Sequence, residues 1–116
     1  MYYAEMKKDL FTESHGATSY HIFQKENTPL EGCVVMVNHV ENTDYPPFGL
    51  HDDNEGFYVI GGTGRMIIGE DEFELRPGVA MYAPVGVPHA IKKTGDGALV
   101  IFIHHFPVTD AQKAGR

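Results

Sequence analysis

A single cysteine, Cys33, leaves no partner for an intrachain disulfide, which excludes a small cross-linked fold and makes a reducing compartment the expected setting. As a nucleophile it is a weak candidate. It opens the apolar run Cys33-Val-Val-Met-Val, where an inert packed thiol is the common case. Positive charge is scarce too: 9 Lys and Arg against 16 Asp and Glu give a formal charge of -7 and a pI of about 5.4. Lys7-Lys8 and Lys92-Lys93 are too short to form a basic patch, so nucleic acid is not an expected partner. No apolar run reaches the length of a membrane span, and the start Met1-Tyr-Tyr-Ala-Glu-Met-Lys-Lys-Asp carries charge where a secretory leader needs its apolar stretch. A soluble cytoplasmic protein with no membrane partner is expected.

What is present favours strands. The 116 residues fit one domain, and 13 glycines with 7 prolines spread along the chain suit short strands and turns better than long helices. Residues 1–17 read as an arm or short helix leading into a turn, 18–106 as the body, and 107–116 as a polar tail, frayed or weakly helical. Thr18 to Gln24 and Cys33 to Val40 are rich in β-branched and aromatic residues and predict the first two strands of the body. The run Glu41-Asn-Thr-Asp-Tyr-Pro-Pro47 excludes a helix and a central strand. Beyond it, Gly56 to Gly61 and Arg65 to Gly69 predict a hairpin around Gly62-Thr-Gly64, and Glu72 to Leu75 alternates as a half-buried strand does. Val79 to Tyr82, His89 to Lys92 and Ala98 to His105 complete eight or nine short strands, the pattern of an all-β antiparallel sandwich or barrel such as a jelly roll.

Chemistry concentrates in two stretches, Gly49-Leu-His51-Asp-Asp-Asn-Glu55 and Pro84-Val-Gly-Val-Pro-His89. Two imidazoles and one carboxylate are the fewest protein ligands that hold one metal ion and leave positions open for a substrate. His51 and Glu55 reach one point if the chain bends at Asp52-Asp53-Asn54, and His89 must arrive from a neighbouring strand. Each alone would read as an ordinary polar residue. Gly62-Thr-Gly64 lacks the third glycine and the following helix of a dinucleotide fingerprint, Gly64 to Gly69 lacks the lysine of a phosphate loop, and Ser14-His15 has no oxyanion motif beside it.

The spacing of these elements resembles the cupins. Their first motif runs Gly, five residues, His-x-His, three or four residues, Glu, six residues, Gly. Here His51 stands at the second histidine, and Glu55 is followed by six residues and Gly62. The second runs Gly, five residues, Pro-x-Gly, two residues, His, three residues, Asn, and Gly78, Pro84-Val-Gly86 and His89 match it without a gap. The resemblance extends over roughly residues 33–105. It departs at two places, where Gly49 replaces the first histidine and Lys93 the terminal asparagine.

The resemblance implies a double-stranded β-helix, or jelly-roll barrel, in which His51, Glu55 and His89 hold a divalent transition metal (Fe, Mn, Zn or Ni). Such a two-histidine, one-carboxylate set resembles the facial arrangement of iron(II) oxygenases. His39, His104 and His105 sit in predicted strands and are possible substitute ligands, although a structural role is the commoner one for each. Alternation puts His104 and His105 on opposite faces, so only one can point inward. Phe57 and Val59 share the strand parity of Glu55, and Ile91 that of His89, which makes them expected pocket walls; Lys93 or Arg65 would meet a substrate anion. The expected function is to bind or act on a small polar metabolite, a sugar or organic acid, inside the barrel, in a dioxygenase-like manner. The alternatives are a non-catalytic sugar- or metabolite-binding or sensor module and a metal-dependent sugar isomerase or lyase, and the residues leave turnover against binding open. Family habit implies a homodimer.

Overall fold

The computed structural model describes residues 2–6, 11–14 and 16–115. Among the described residues nine strands and one short helix follow one another: β1 (Phe11–Ser14), β2 (Ala17–Phe23), β3 (Val34–Val40), β4 (Asn54–Gly61), β5 (Gly64–Ile68), β6 (Asp71–Leu75), β7 (Ala80–Ala83), β8 (His89–Lys93), β9 (Leu99–Phe106) and α1 (Asp110–Lys113). Every pairing is antiparallel, in a six-stranded sheet of order β1-β2-β3-β9-β4-β7 and a three-stranded sheet of order β6-β5-β8. The all-β antiparallel jelly-roll expectation is met.

Two local expectations are corrected. Part of the supposed arm is strand, since Phe11–Ser14 pairs with Tyr20–Ala17, while His15 of the Ser14-His15 turn lies outside the described residues. The hairpin around Gly62-Thr-Gly64 does not form between its flanking strands: β4 pairs with β7 and β9, and β5 with β6 and β8. Gly62 has φ of 80°, and a Cβ there would come within 2.5 Å of the Ala98 carbonyl oxygen, so this glycine carries the chain out of one sheet into the other at a place where no side chain fits. The hairpin lies one connection later, between β5 and β6, where the acidic run Glu70 to Glu74 is solvated as expected. Cys33 stands half-buried one residue before β3.

Period-two alternation builds the interior. On β9 Leu99, Ile101 and Ile103 point inward, and on β4 Phe57 and Val59 do; with Met66, Leu75, Val40 and Ala83 they make the apolar core. Continuing these two series toward the end of the sheet gives Glu55 on β4 and His105 on β9, both buried. The polar cluster thus grows out of the same inward faces as the core, and a cavity opens there.

Candidate metal centre

The cavity has a volume of about 290 Å³ and lies between the inward face of the large sheet and β8. Its position depends on how the 41–53 connection is pinned. After Pro46 and Pro47, Gly49 makes a two-bond bridge to β8, its N–H donating to the His89 carbonyl at 2.8 Å and the His89 N–H donating to the Gly49 carbonyl at 3.1 Å. The Gly86 N–H also donates to the His51 carbonyl, at 3.3 Å. These bonds set His51 beside His89, their ring centres 5.2 Å apart.

The side chains converge on Glu55. Its Oε1 lies 3.2 Å from His51 Nε2 and 3.1 Å from His89 Nε2, and its Oε2 lies 3.3 Å from His105 Nε2. The donor atoms of His51, Glu55 and His89 all fall within 4.8 Å of one another. The two contacts at Oε1 are short, yet by strict geometry neither is a hydrogen bond; His89 at 3.1 Å acts on this buried oxygen without an aligned donor. A buried carboxylate oxygen left without a donor costs free energy, and a cation placed among these atoms relieves that cost. The far nitrogens of two rings are already engaged: His89 Nδ1 donates to the Val87 carbonyl at 3.3 Å, and His105 Nδ1 to Asp53 Oδ1 at 3.1 Å. Each bond fixes the ring and turns Nε2 toward the carboxylate, the arrangement that metal-ligating histidines use. Such a donor set fits a divalent transition metal.

The charges in the metal-free cluster are strongly coupled. Burial works to raise the pKa of Glu55, but His105 and His89 outweigh it and hold the carboxyl down at about 2. Burial works to lower His105, but Glu55 and Asp53 prevail and lift it to about 9; His89 is raised for the same reason, by Glu55 and the Val87 carbonyl. His51 is lowered, chiefly by burial and by the other two imidazoles, against the pull of Glu55. Without a metal, then, the carboxylate is balanced by protons on His105 and His89.

The remaining site residues divide by strand face. Phe57 and Ile91 line the cavity, and the Phe57 ring meets His89 edge-on at 5.6 Å. Val59 is not at the cavity wall; it is 1% exposed and packs in the apolar core, two residues further from the open end. Of the substitute histidines, His39 packs at a tilt against Tyr20 and His104 against Phe106, whereas of the three His105 alone lines the cavity. Arg65 is engaged with Glu72 and Glu74 and Lys93 with the Asp96 carbonyl, and neither lines the cavity. Sequence reasoning missed Ser19, His21 and Asn38, which line the wall opposite β8. Ser19 and Asn38 are register partners, and the signal was their shared parity with Ala17, Met36 and Val40.

Comparison with known proteins gives the same architecture. Hydroxypropylphosphonic acid epoxidase from S. wedmorenis, solved in complex with fosfomycin, superposes with a TM-score of 0.76 at 21% identity, over 90% of this chain and 59% of that one. A predicted oxalate decarboxylase from Thermotoga maritima gives 0.71 at 16% identity, over 79% and 81%. An uncharacterized protein of Methanocaldococcus jannaschii is 30% identical over 57 residues, which are 49% of this chain and 46% of the relative, so the match spans about half the length of each. The cupin domain model matches residues 36–105, and the chain belongs to the cupin family.

Proposed function

We propose that the cavity holds a divalent transition metal through His51, Glu55 and His89 and receives a small polar organic molecule, a sugar or organic acid, beside it. The observation that carries this reading is the buried Glu55 Oε1, which has two imidazole nitrogens at 3.1 and 3.2 Å and no hydrogen bond. Burying an incompletely satisfied carboxylate among three histidines is a poor way to stabilise a fold and a good way to bind a cation. A bound metal would supply Lewis acidity or a centre for oxygen chemistry.

The chain's own residues decide what can enter. A cavity of about 290 Å³ is at the small end of ligand pockets, which run from roughly 300 to 1,000 Å³. Among the described residues its lining contains no lysine or arginine and one carboxylate, Glu55, so an anionic group on the ligand would be drawn to the metal. Phe57, Ile91 and Ile103 give an apolar floor that excludes water, while Ser19, His21 and Asn38 offer hydrogen bonds to hydroxyl or carbonyl groups. Phe57 also fixes the His89 ring against which a ligand would rest.

Metal analysis of untagged protein tests the reading. Wild type is expected to carry or accept about one divalent ion per chain, and His51→Ala, His89→Ala and Glu55→Gln are each expected to lower affinity by at least about tenfold. A wild-type protein that cannot be loaded, or variants that bind as tightly as wild type, would sink it.

A further inference from the structure

We propose that His105 is a fourth protein ligand of this metal and that Asp53 orients it. The inference rests on the metal-binding reading above and concerns its coordination.

Glu55 and His105 are direct register partners on adjacent strands β4 and β9, both on the inward face, so the pairing itself places the imidazole against the carboxylate. Asp53 Oδ1 accepts from His105 Nδ1 at 3.1 Å, which leaves Nε2 as the free nitrogen and aims it into the cluster, 3.3 Å from Glu55 Oε2. The His105 ring meets the His51 ring edge-on at 5.2 Å, just outside the tight group of His51, Glu55 and His89, so a modest shift of its ring toward Glu55 brings Nε2 to an ion held there. The tight group formed by His51, Glu55 and His89 gathers on Oε1, while His105 serves Oε2. The second oxygen of Glu55 thereby has its own imidazole, held by its own carboxylate. Neither His39 nor His104 has an inward nitrogen of this kind.

A rescue position exists within the same cavity. A Cβ built on Gly49 would stand 3.6 Å from His51 Nε2 and 3.7 Å from His89 Nε2, ordinary contact distances, in backbone that any residue can adopt. A side chain at position 49 therefore enters the cluster from the loop side. If His105 is a ligand, an imidazole added at 49 can replace it; if His105 only neutralises Glu55, an added ligand at 49 does not take over its role.

The test is titration of the purified chain with Co(II), followed by visible absorption, together with pulsed EPR of the Cu(II) form to count coordinated nitrogens. His105→Ala is expected to weaken Co(II) binding by at least about tenfold, alter the d–d bands and remove one nitrogen; Asp53→Asn is expected to weaken binding about 10- to 100-fold with the nitrogen count unchanged. Gly49→His combined with His105→Ala is expected to recover the count and most of the affinity. An unchanged nitrogen count in His105→Ala overturns the inference, whether affinity falls or not, and leaves the three-ligand site standing. A wild-type chain that binds neither ion overturns both. His105→Gln, checked for folding by circular dichroism, replaces His105→Ala if the latter does not fold and is judged by the same count.

Discussion

Asn54 and Glu55 are consecutive, both buried, both polar, and in opposite situations. Asn54 is wholly buried and fully bonded. Its Nδ2 donates to the Pro107 carbonyl at 3.1 Å and to Gln112 Oε1 at 2.7 Å, and its Oδ1 accepts from the Tyr82 hydroxyl at 2.8 Å, the Val85 N–H at 3.1 Å and Gln112 Nε2 at 2.6 Å. Gln112 in turn caps α1 with Thr109, so one amide ties the C-terminal helix to the strand that carries the site. Glu55, on the inward face, keeps an oxygen with no hydrogen bond amid three imidazoles. A satisfied buried group holds a fold together, and an unsatisfied one carries a cost that a bound cation would relieve.

The difference is broken most severely at Asn54. Asn54→Ala strands several donors and acceptors at once and detaches α1, and we expect a loss of about 3 kcal/mol and a Tm lower by roughly 10 °C. That loss should be the same with chelator or with metal, because the amide faces away from the cavity. Glu55→Gln should behave in the complementary way. Wild type should gain about 2.7 kcal/mol when free metal stands at 100 times Kd, and the variant should gain almost nothing. Thermal melts of the two variants with and without Co(II) check both halves; metal-dependent stability in the first that differs from wild type would end the contrast.

A pH series sharpens the comparison, since the Glu55 cluster is built of groups held far from their ordinary charge equilibria. His105, raised from 6.5 to about 9, contributes stability that is complete below pH 6.5 and disappears as pH climbs through about 9; raised His89 acts in the same sense. Glu55, lowered from 4.5 to about 2, contributes above pH 4.5 and loses its share as pH falls through about 2. These are two sides of one ion-paired cluster and count once. Half-exposed His51, lowered, adds a smaller opposing rise toward pH 6.5. Metal-free protein should therefore lose on the order of 1–3 kcal/mol between pH 6.5 and 9. With saturating metal the decline should vanish, because binding requires neutral imidazoles and releases their protons. Equal slopes with and without metal would contradict the proposed occupancy.

Much of this site was legible in the chain because strand parity is a local property. Alternation alone separated His104 from His105, and the spacing His51-x-x-x-Glu55 followed by His89 named the tight group. What the chain concealed is set by long-range pairing. The walls supplied by Ser19, His21 and Asn38 depend on β2 and β3 joining the sheet through β9, and the role of Gly49 depends on its bridge to His89. Val59 was misplaced because parity fixes the face and not the depth. The hairpin at Gly62 misled because a tight glycine turn looks the same whether its strands pair or diverge into two sheets. Asn54 was invisible as an anchor, since its partners lie at positions 82, 85, 107 and 112.

A third polar cluster supplies the weakest expected effect and the control for the other two. On the outer face of the small sheet Arg65 reaches Glu72 Oε1 at 2.7 Å and Glu74 Oε1 at 3.1 Å, and the Tyr45 hydroxyl donates to Glu72 Oε2 at 2.8 Å. The pKa of Tyr45 is pushed up to about 12 by burial and by Glu72, so the hydroxyl remains a donor throughout the accessible range. Distances here are as short as those around Asn54, yet the carboxylates are open to solvent, with Glu74 74% exposed at its side chain, and water can take up every bond that is lost. Arg65→Ala should accordingly change stability by no more than about 0.5 kcal/mol, and that small effect should shrink further in high salt. Urea unfolding at low and high ionic strength measures it. A loss comparable to that of Asn54→Ala would mean that bond length, rather than exclusion of water, decides what a polar cluster contributes in this fold.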